Sequence, residues 1–242
     1  MPELELWCVD LDAAGAALQE MERRTPRLSD WDRHNAATIA DANAAAQWCA
    51  THIALRLLLE RAVGTQWRGA AFLRRPGVRP HLEGAPVAFS LSHVAGLALI
   101  GLAPSGDIGV DLERARAVRM SAPRRGLIET AGAALDAGAP LPDDAEARFL
   151  QAWVRLEAFA KAEGGGIGRL LTRLGVVGSR DIAAADLLTQ VAAARAQASA
   201  NVVHDLELGQ GLFAAVALVS SQALPQVRWL PGHLEGLEKL VT

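Results

Sequence analysis

The stretch "IGVDLERAR", residues 108–116, alternates Ile108, Val110 and Leu112 with Gly109, Asp111 and Glu113. Such alternation predicts a strand with one apolar face. The other face carries two carboxylates, because residues i and i+2 project from the same side of a strand, roughly 6.5–7 Å apart at the backbone. Like charges that close repel, and beside a core they are costly. They call for a counter-charge. Arg114 and Arg116 can supply it at a solvated strand end, or a cation can be shared with a third group elsewhere in the chain.

A second pair lies in "FLQAWVRLEAFAK", residues 149–161. At about 100° per helical residue, Trp153, Leu156 and Ala160 fall within about 40° of Phe149 and form an apolar stripe. Glu157 falls between Trp153 and Leu150, and Lys161 between Leu150 and Val154. A carboxylate and an ammonium one turn apart therefore stand inside the apolar arc. As a surface i,i+4 pair they contribute a few tenths of a kcal/mol. Inside the arc they suit a site, and the "GGGIG" that follows at 164–168 allows the chain to pass close to it.

Asp111, Glu113 and Glu157 together form a hard, all-oxygen donor set, with no nearby Cys or His pair. That chemistry suits Mg²⁺, with Mn²⁺ as a substitute. Mg²⁺ retains waters and commonly bridges to substrate phosphates. Lys161, His93 and Arg79 are cations that can hold such phosphates.

Around these residues the chain reads as α+β. Residues 4–11 read as an opening strand and 29–62 as helical, starting at Ser29 or Asp30 and stopping at Gly64. "LRRPGVRPHLEGAP" (73–86) reads as a loop. "VAFSLSH" and "LALIGLA" read as strands, and "PSGD" (104–107) as a turn into the 108–116 stretch. Residues 122–144, rich in Ala, Gly and Pro, read as a short helix with a mobile loop. A strong helix spans about 143–163, capped by Asp143 or Asp144 and ended by Gly164–Gly166. "VVHDLEL" and "LFAAVALVS" flank "GQG" as a hairpin. Each half thus offers a long helix and then short strands. The expected division is an N-terminal α+β half at 1–108 and a C-terminal one at 109–242.

The bulk composition narrows the class. Of 242 residues, 51% are hydrophobic, enough for a sizeable core. The net charge of −3 argues against nucleic acid as the main partner. The longest apolar runs, near 94–103 and 212–219, are too short to span a bilayer, so no membrane partner is expected. The only cysteines, Cys8 and Cys49, lack metal-knuckle spacing. With no basic leader at the start, they predict a reducing, cytoplasmic setting.

Five motifs in order carry a resemblance: "GVRP" (77–80), "FSLSH" (89–93), "IGVDLE" (108–113), "WVRLEAFAK" (153–161) and "EGGGIG" (163–168). Over roughly 75–170 the chain resembles the 4′-phosphopantetheinyl transferases of the surfactin-synthetase-activating type. The resemblance implies a pseudo-twofold arrangement of two similar α+β halves. It also implies an enzyme that moves the phosphopantetheine arm of coenzyme A onto a serine of an acyl or peptidyl carrier protein and releases 3′,5′-ADP. By that resemblance Asp111, Glu113 and Glu157 hold Mg²⁺, and Glu157 takes the serine proton. Lys161 offsets pyrophosphate charge, and Arg79, Ser92 and His93 contact coenzyme A phosphates. The early helix offers His52 and Arg56 as its only basic candidates for coenzyme A. A monomer is expected.

Three positions and the early helix depart from the family pattern. Leu156 stands where the family has Lys, Val94 where it has Ser or Thr, and Gly165 where it has Lys, and the early helix is poor in basic residues. These losses leave two other readings open. One is a non-catalytic relative that binds a carrier protein or coenzyme A. The other is a metal-dependent nucleotide phosphohydrolase.

Overall fold

The computed structural model describes residues 3–75, 78–104, 106–135, 138–178, 182–198, 200, 202–219 and 223–241. In chain order the first elements are β1 (Glu5–Asp10), α1 (Leu11–Arg24), α2 (Asp30–Thr38), α3 (Ala42–Val63), β2 (Leu73–Arg75), β3 (Val78–His81), β4 (Ala88–Val94) and β5 (Leu97–Ala103). There follow β6 (Gly109–Arg114), α4 (Ala122–Ala134), α5 (Ala145–Glu163), α6 (Gly166–Arg173), α7 (Ala184–Gln197), β7 (Val202–Asp205), β8 (Leu212–Leu218), β9 (Val227–Trp229) and α8 (Leu234–Lys239). The chain is mixed α+β. Gly77 of "GVRP" and Ser105 of "PSGD" lie outside the described residues.

The chain divides into two units: residues 1–74, 80–105 and 225–242, and residues 75–79 and 106–224. A single cut at 108/109 does not provide for the return of 225–242. That return is made by β9, which pairs in parallel with β1, Trp7 opposite Arg228.

In the first unit the sheet order is β4-β5-β1-β9. β1 and β5 are antiparallel, with Cys8 opposite Leu99. β5 is buried along its whole length. The sheet and its helices enclose a core in which α3 is buried continuously from Ala50 to Glu60. The 29–62 stretch, expected as one helix, is two. Ser29 and Asp32 form a capping box that starts α2. The helix stops at Ile39, and Asp41 begins α3 by accepting from the Ala44 amide at 2.7 Å. A carboxylate that satisfies an orphan amide favours a helix start over a continuous run.

In the second unit β6, β8 and β7 form an antiparallel sheet with β8 in the middle. α5 packs on β6 and β8. Its start is capped by Asp144, and it ends where Gly164 takes a left-handed conformation at φ 78°, as a C-terminal glycine does. The face of β6 that carries Gly109, Asp111 and Glu113 is the one against α5. At Gly109 the two backbones meet: an added Cβ would lie 1.9 Å from the Ala158 carbonyl oxygen and 2.6 Å from the Ala162 amide nitrogen. Gly109→Ala must therefore push α5 off β6. It is expected to destabilise the fold by about 1–3 kcal/mol, read as a lower denaturant midpoint. A midpoint equal to the parent's would mean that this approach is looser than the geometry requires.

Candidate functional site

Within the second unit, β6 and α5 bring four of the sequence-predicted residues together. Asp111 is only 5% exposed. It is tolerated there because Lys161 Nζ donates to its Oδ1 at 2.6 Å, and also to the Val110 carbonyl oxygen at 3.1 Å. Buried carboxylates need a partner of this kind. Glu113, nearer the strand end, accepts both arms of the Arg116 guanidinium at 3.0 and 3.2 Å. The question raised by the paired carboxylates thus has two answers. Asp111 turns inward to the helix, and Glu113 is salted locally by Arg116.

Glu157 is half-buried on α5. Burial pushes its carboxyl up to about 7, the Asp111 and Glu113 charges add to the rise, and Lys161 opposes it. The three carboxylates therefore feel one another across β6 and α5. In the fold Glu157 holds its proton to about 7, against a usual 4.5. The folded chain keeps this proton through a window in which the unfolded chain releases it. Stability from this source is complete below about 4.5 and is lost as pH rises through 7. In chelator-treated buffer, Glu157→Gln is expected to flatten the dependence of the unfolding midpoint on pH across that window. An unchanged slope would place the titration elsewhere.

Arg79 joins the same unit. It pairs with Asp107 and donates to the carbonyl oxygens of Gly106 at 3.2 Å and Ala162 at 3.3 Å. Ala162 follows Lys161, so Arg79 sits at the same end of α5.

Among the described residues, no three His, Cys, Asp or Glu side chains are gathered closely enough to enclose a metal ion. Asp111 is engaged by Lys161 and Glu113 by Arg116. The donor chemistry is nevertheless of the kind a hard divalent cation takes: Asp111, Glu113 and Glu157 offer only oxygen donors, and Glu157, raised chiefly by burial, also feels the other two charges.

Leu156, at the position where the family pattern has Lys, is fully buried in the core with Phe149 and Ala160. It belongs to the apolar stripe and not to the site. Leu156→Lys is expected to cost about 3 kcal/mol or more, because an unpaired ammonium would replace an aliphatic chain in that core. A melting temperature near the parent's would show that the side chain escapes to solvent.

The remaining predicted residues lie in the first unit. Ser92 is buried on β4 and His93 is exposed beside it. A cleft of about 310 Å³ is lined by Asp41, Asn43, Ala44, Gln47, His93, Val94 and Ala95. Arg56 is only 3% exposed. Its guanidinium pairs with Asp32 at 2.6 Å, donates to the Ala70 carbonyl oxygen and stacks 3.9 Å from the Phe72 ring centroid. Those contacts hold it inside the fold. His52 stacks on Trp48 with centroids 3.5 Å apart, and its Nδ1 donates to the Trp48 carbonyl oxygen at 2.9 Å. Burial, helped by the Arg74 and His93 charges, pushes it down to about 4, so it is neutral at physiological pH.

Arg74 is the cation that the motif pattern passed over. It lies 3.7 Å above the Trp31 ring centroid, and its charge reaches His52. Its only sequence signal was membership of an Arg-rich loop. The lining of the cleft by Asp41 and Gln47 was hidden by reading 29–62 as one helix.

No helix among the described residues is long and apolar enough to cross a membrane. No protein-family model matches the chain, and no curated protein matches it.

Proposed function

We propose that this chain is a 4′-phosphopantetheinyl transferase of the surfactin-synthetase-activating type, a cytoplasmic monomer that modifies an acyl or peptidyl carrier protein. The observation that supports this most is the cluster on β6 and α5: a buried Asp111–Lys161 pair beside a half-buried carboxyl raised to about 7. A carboxylate placed beside an ammonium in this way can take a proton from a hydroxyl. In this reading the carrier serine oxygen bonds to the phosphorus bearing the pantetheine arm of coenzyme A. The serine proton passes to Glu157, directly or through water. The phosphoanhydride bond breaks, and 3′,5′-ADP departs with the electron pair.

Lys161, held by Asp111 and the Val110 carbonyl, is fixed where it offsets charge that grows on the pyrophosphate as the bond breaks. Arg79 at the same end of α5 is proposed as a further phosphate contact, as are Ser92 and His93 in the first unit. Mg²⁺ or Mn²⁺, held by Asp111, Glu113 and Glu157, supplies the remaining charge neutralisation when bound. The pseudo-twofold relation of two similar halves is part of the same proposal. It is supported by a long helix followed by an antiparallel hairpin in each unit: α3 with β4 and β5, α5 with β7 and β8.

Product analysis tests the reading. With coenzyme A and Mg²⁺, 3′,5′-ADP is expected only when an apo carrier protein is present. Release of a nucleotide or phosphate without the carrier favours the phosphohydrolase. Carrier binding with no nucleotide product favours the non-catalytic relative, which the departures at Leu156, Val94 and Gly165 motivate.

A further inference from the structure

We infer that the pair of buried Arg155 with partly exposed Asp205 is a register clamp: it fixes where along the sheet α5 presents Glu157 and Lys161 to Asp111. Arg155 is then a positioning residue. What it positions rests on the transferase reading, whereas the clamp itself is a property of the second unit alone.

Arg155 is only 1% exposed and is the largest fully buried side chain described. Its Nε donates to Asp205 Oδ1 at 2.8 Å and its Nη2 to Oδ2 at 2.5 Å, a two-pronged grip on β7. Nη2 also donates to the Ala139 carbonyl oxygen at 2.8 Å. One turn earlier, Gln151 Nε2 donates to the same Asp205 Oδ1 at 2.7 Å. One carboxylate on an outer strand thus holds two successive turns of α5. The far end of α5 is tied to the other outer strand, β6, by Lys161.

Between these ties the close backbone contacts are small against small. Gly109 meets Ala158, and Gly132 of α4 meets Ala152, where an added Cβ would lie 2.6 Å from the Ala152 backbone. Such contacts allow intimate approach but offer few notches against sliding. Apolar burial around them is strong and non-directional. A bidentate Arg–carboxylate pair is directional. Burying it is expensive, and an apolar pair of similar volume is often as stable or more so, so fixing registry is the best-attested use of such a pair. A shift of about 1 Å at Glu157 or Lys161 is enough to lower turnover steeply.

The test replaces the pair by apolar side chains, Arg155→Met with Asp205→Leu, so that no buried charge is left alone. Three quantities are read: the melting temperature, the ¹⁵N–¹H signal of the Lys161 ammonium, which reports its bond to Asp111, and carrier-modification kinetics. The clamp predicts parent-like melting, a displaced or doubled Lys161 signal, and kcat lower by about 10-fold or more with little change in the carrier KM. Parent-like melting with a parent-like Lys161 signal and kcat overturns it, since the pair then only fills space. Arg155→Lys, which keeps the charge and loses the fork, carries the same readout independently: a displaced Lys161 signal is expected, and an unchanged one contradicts the clamp. The ammonium signal decides the clamp even if the parent modifies no carrier, which would count against the transferase reading alone.

Discussion

A Lys161→Ala variant is expected to turn over about 10²–10³ times more slowly than the parent, the usual effect of losing one preorganised contact to developing charge. Its fold is expected to survive. The Lys161 side chain is 29% exposed, so truncation removes little packing. Its partner Asp111, only 5% exposed, loses an ion pair, so the unfolding midpoint is expected to fall and rates are compared per folded molecule. Under the proposed transfer the loss should fall on kcat more than on KM, because the charge that Lys161 would offset grows as the phosphoanhydride breaks. If Glu157 and Lys161 were only a surface helix pair, the change would cost a few tenths of a kcal/mol and leave the rate alone. Steady-state labelling of a carrier protein separates the two. Glu157→Gln belongs in the same series, since it removes a base and a metal donor while keeping the shape. Near-parent rates for both would end the catalytic reading of α5.

Asp111→Ala is expected to lower turnover by a similar factor, about 10²–10³. Two losses combine. Under the proposed reading the site loses a donor for the divalent cation, and Lys161 loses its 2.6 Å bond to Asp111. Glu157 also loses one of the charges that raise it, so its carboxyl should fall below about 7 and become a weaker base. Measured by carbon-detected titration, that fall checks the electrostatic account without any assay of activity. If Asp111→Ala instead unfolds the protein while activity per folded molecule is spared, the carboxylate is structural.

The members of the α5–β6 cluster were legible one element at a time through two local periods, whereas the pairing of Lys161 with Asp111, fifty residues apart, was not. Period two placed Asp111 and Glu113 on one face of a strand, and the helical period placed Glu157 and Lys161 within an apolar arc. Gly164 and Asp144 marked the ends of α5 through their own backbone chemistry. What escaped depends on distant partners. β9 is three residues long and is made a strand by pairing with β1, more than two hundred residues earlier. α7 is rich in alanine, and its buried stripe is only Leu187, Val191 and Ala194. The break before α3 turned on one carboxylate, Asp41, choosing an amide. Arg56 looked available on a helix, and only the fold shows its pairing with Asp32. Arg155 drew no reading from the sequence, because its partner Asp205 lies fifty residues away in the chain.

The central claim is that the Asp111–Lys161–Glu157 cluster transfers a phosphopantetheine arm to a serine. Intact mass of a panel of apo acyl and peptidyl carrier proteins, incubated with the protein, coenzyme A and Mg²⁺, tests it most directly. The account predicts one mass increment equal to a single phosphopantetheine arm on at least one carrier, lost when the metal is chelated and when the carrier serine is replaced by alanine. Unmodified mass across the panel, with Mg²⁺ present and the protein folded, would contradict it.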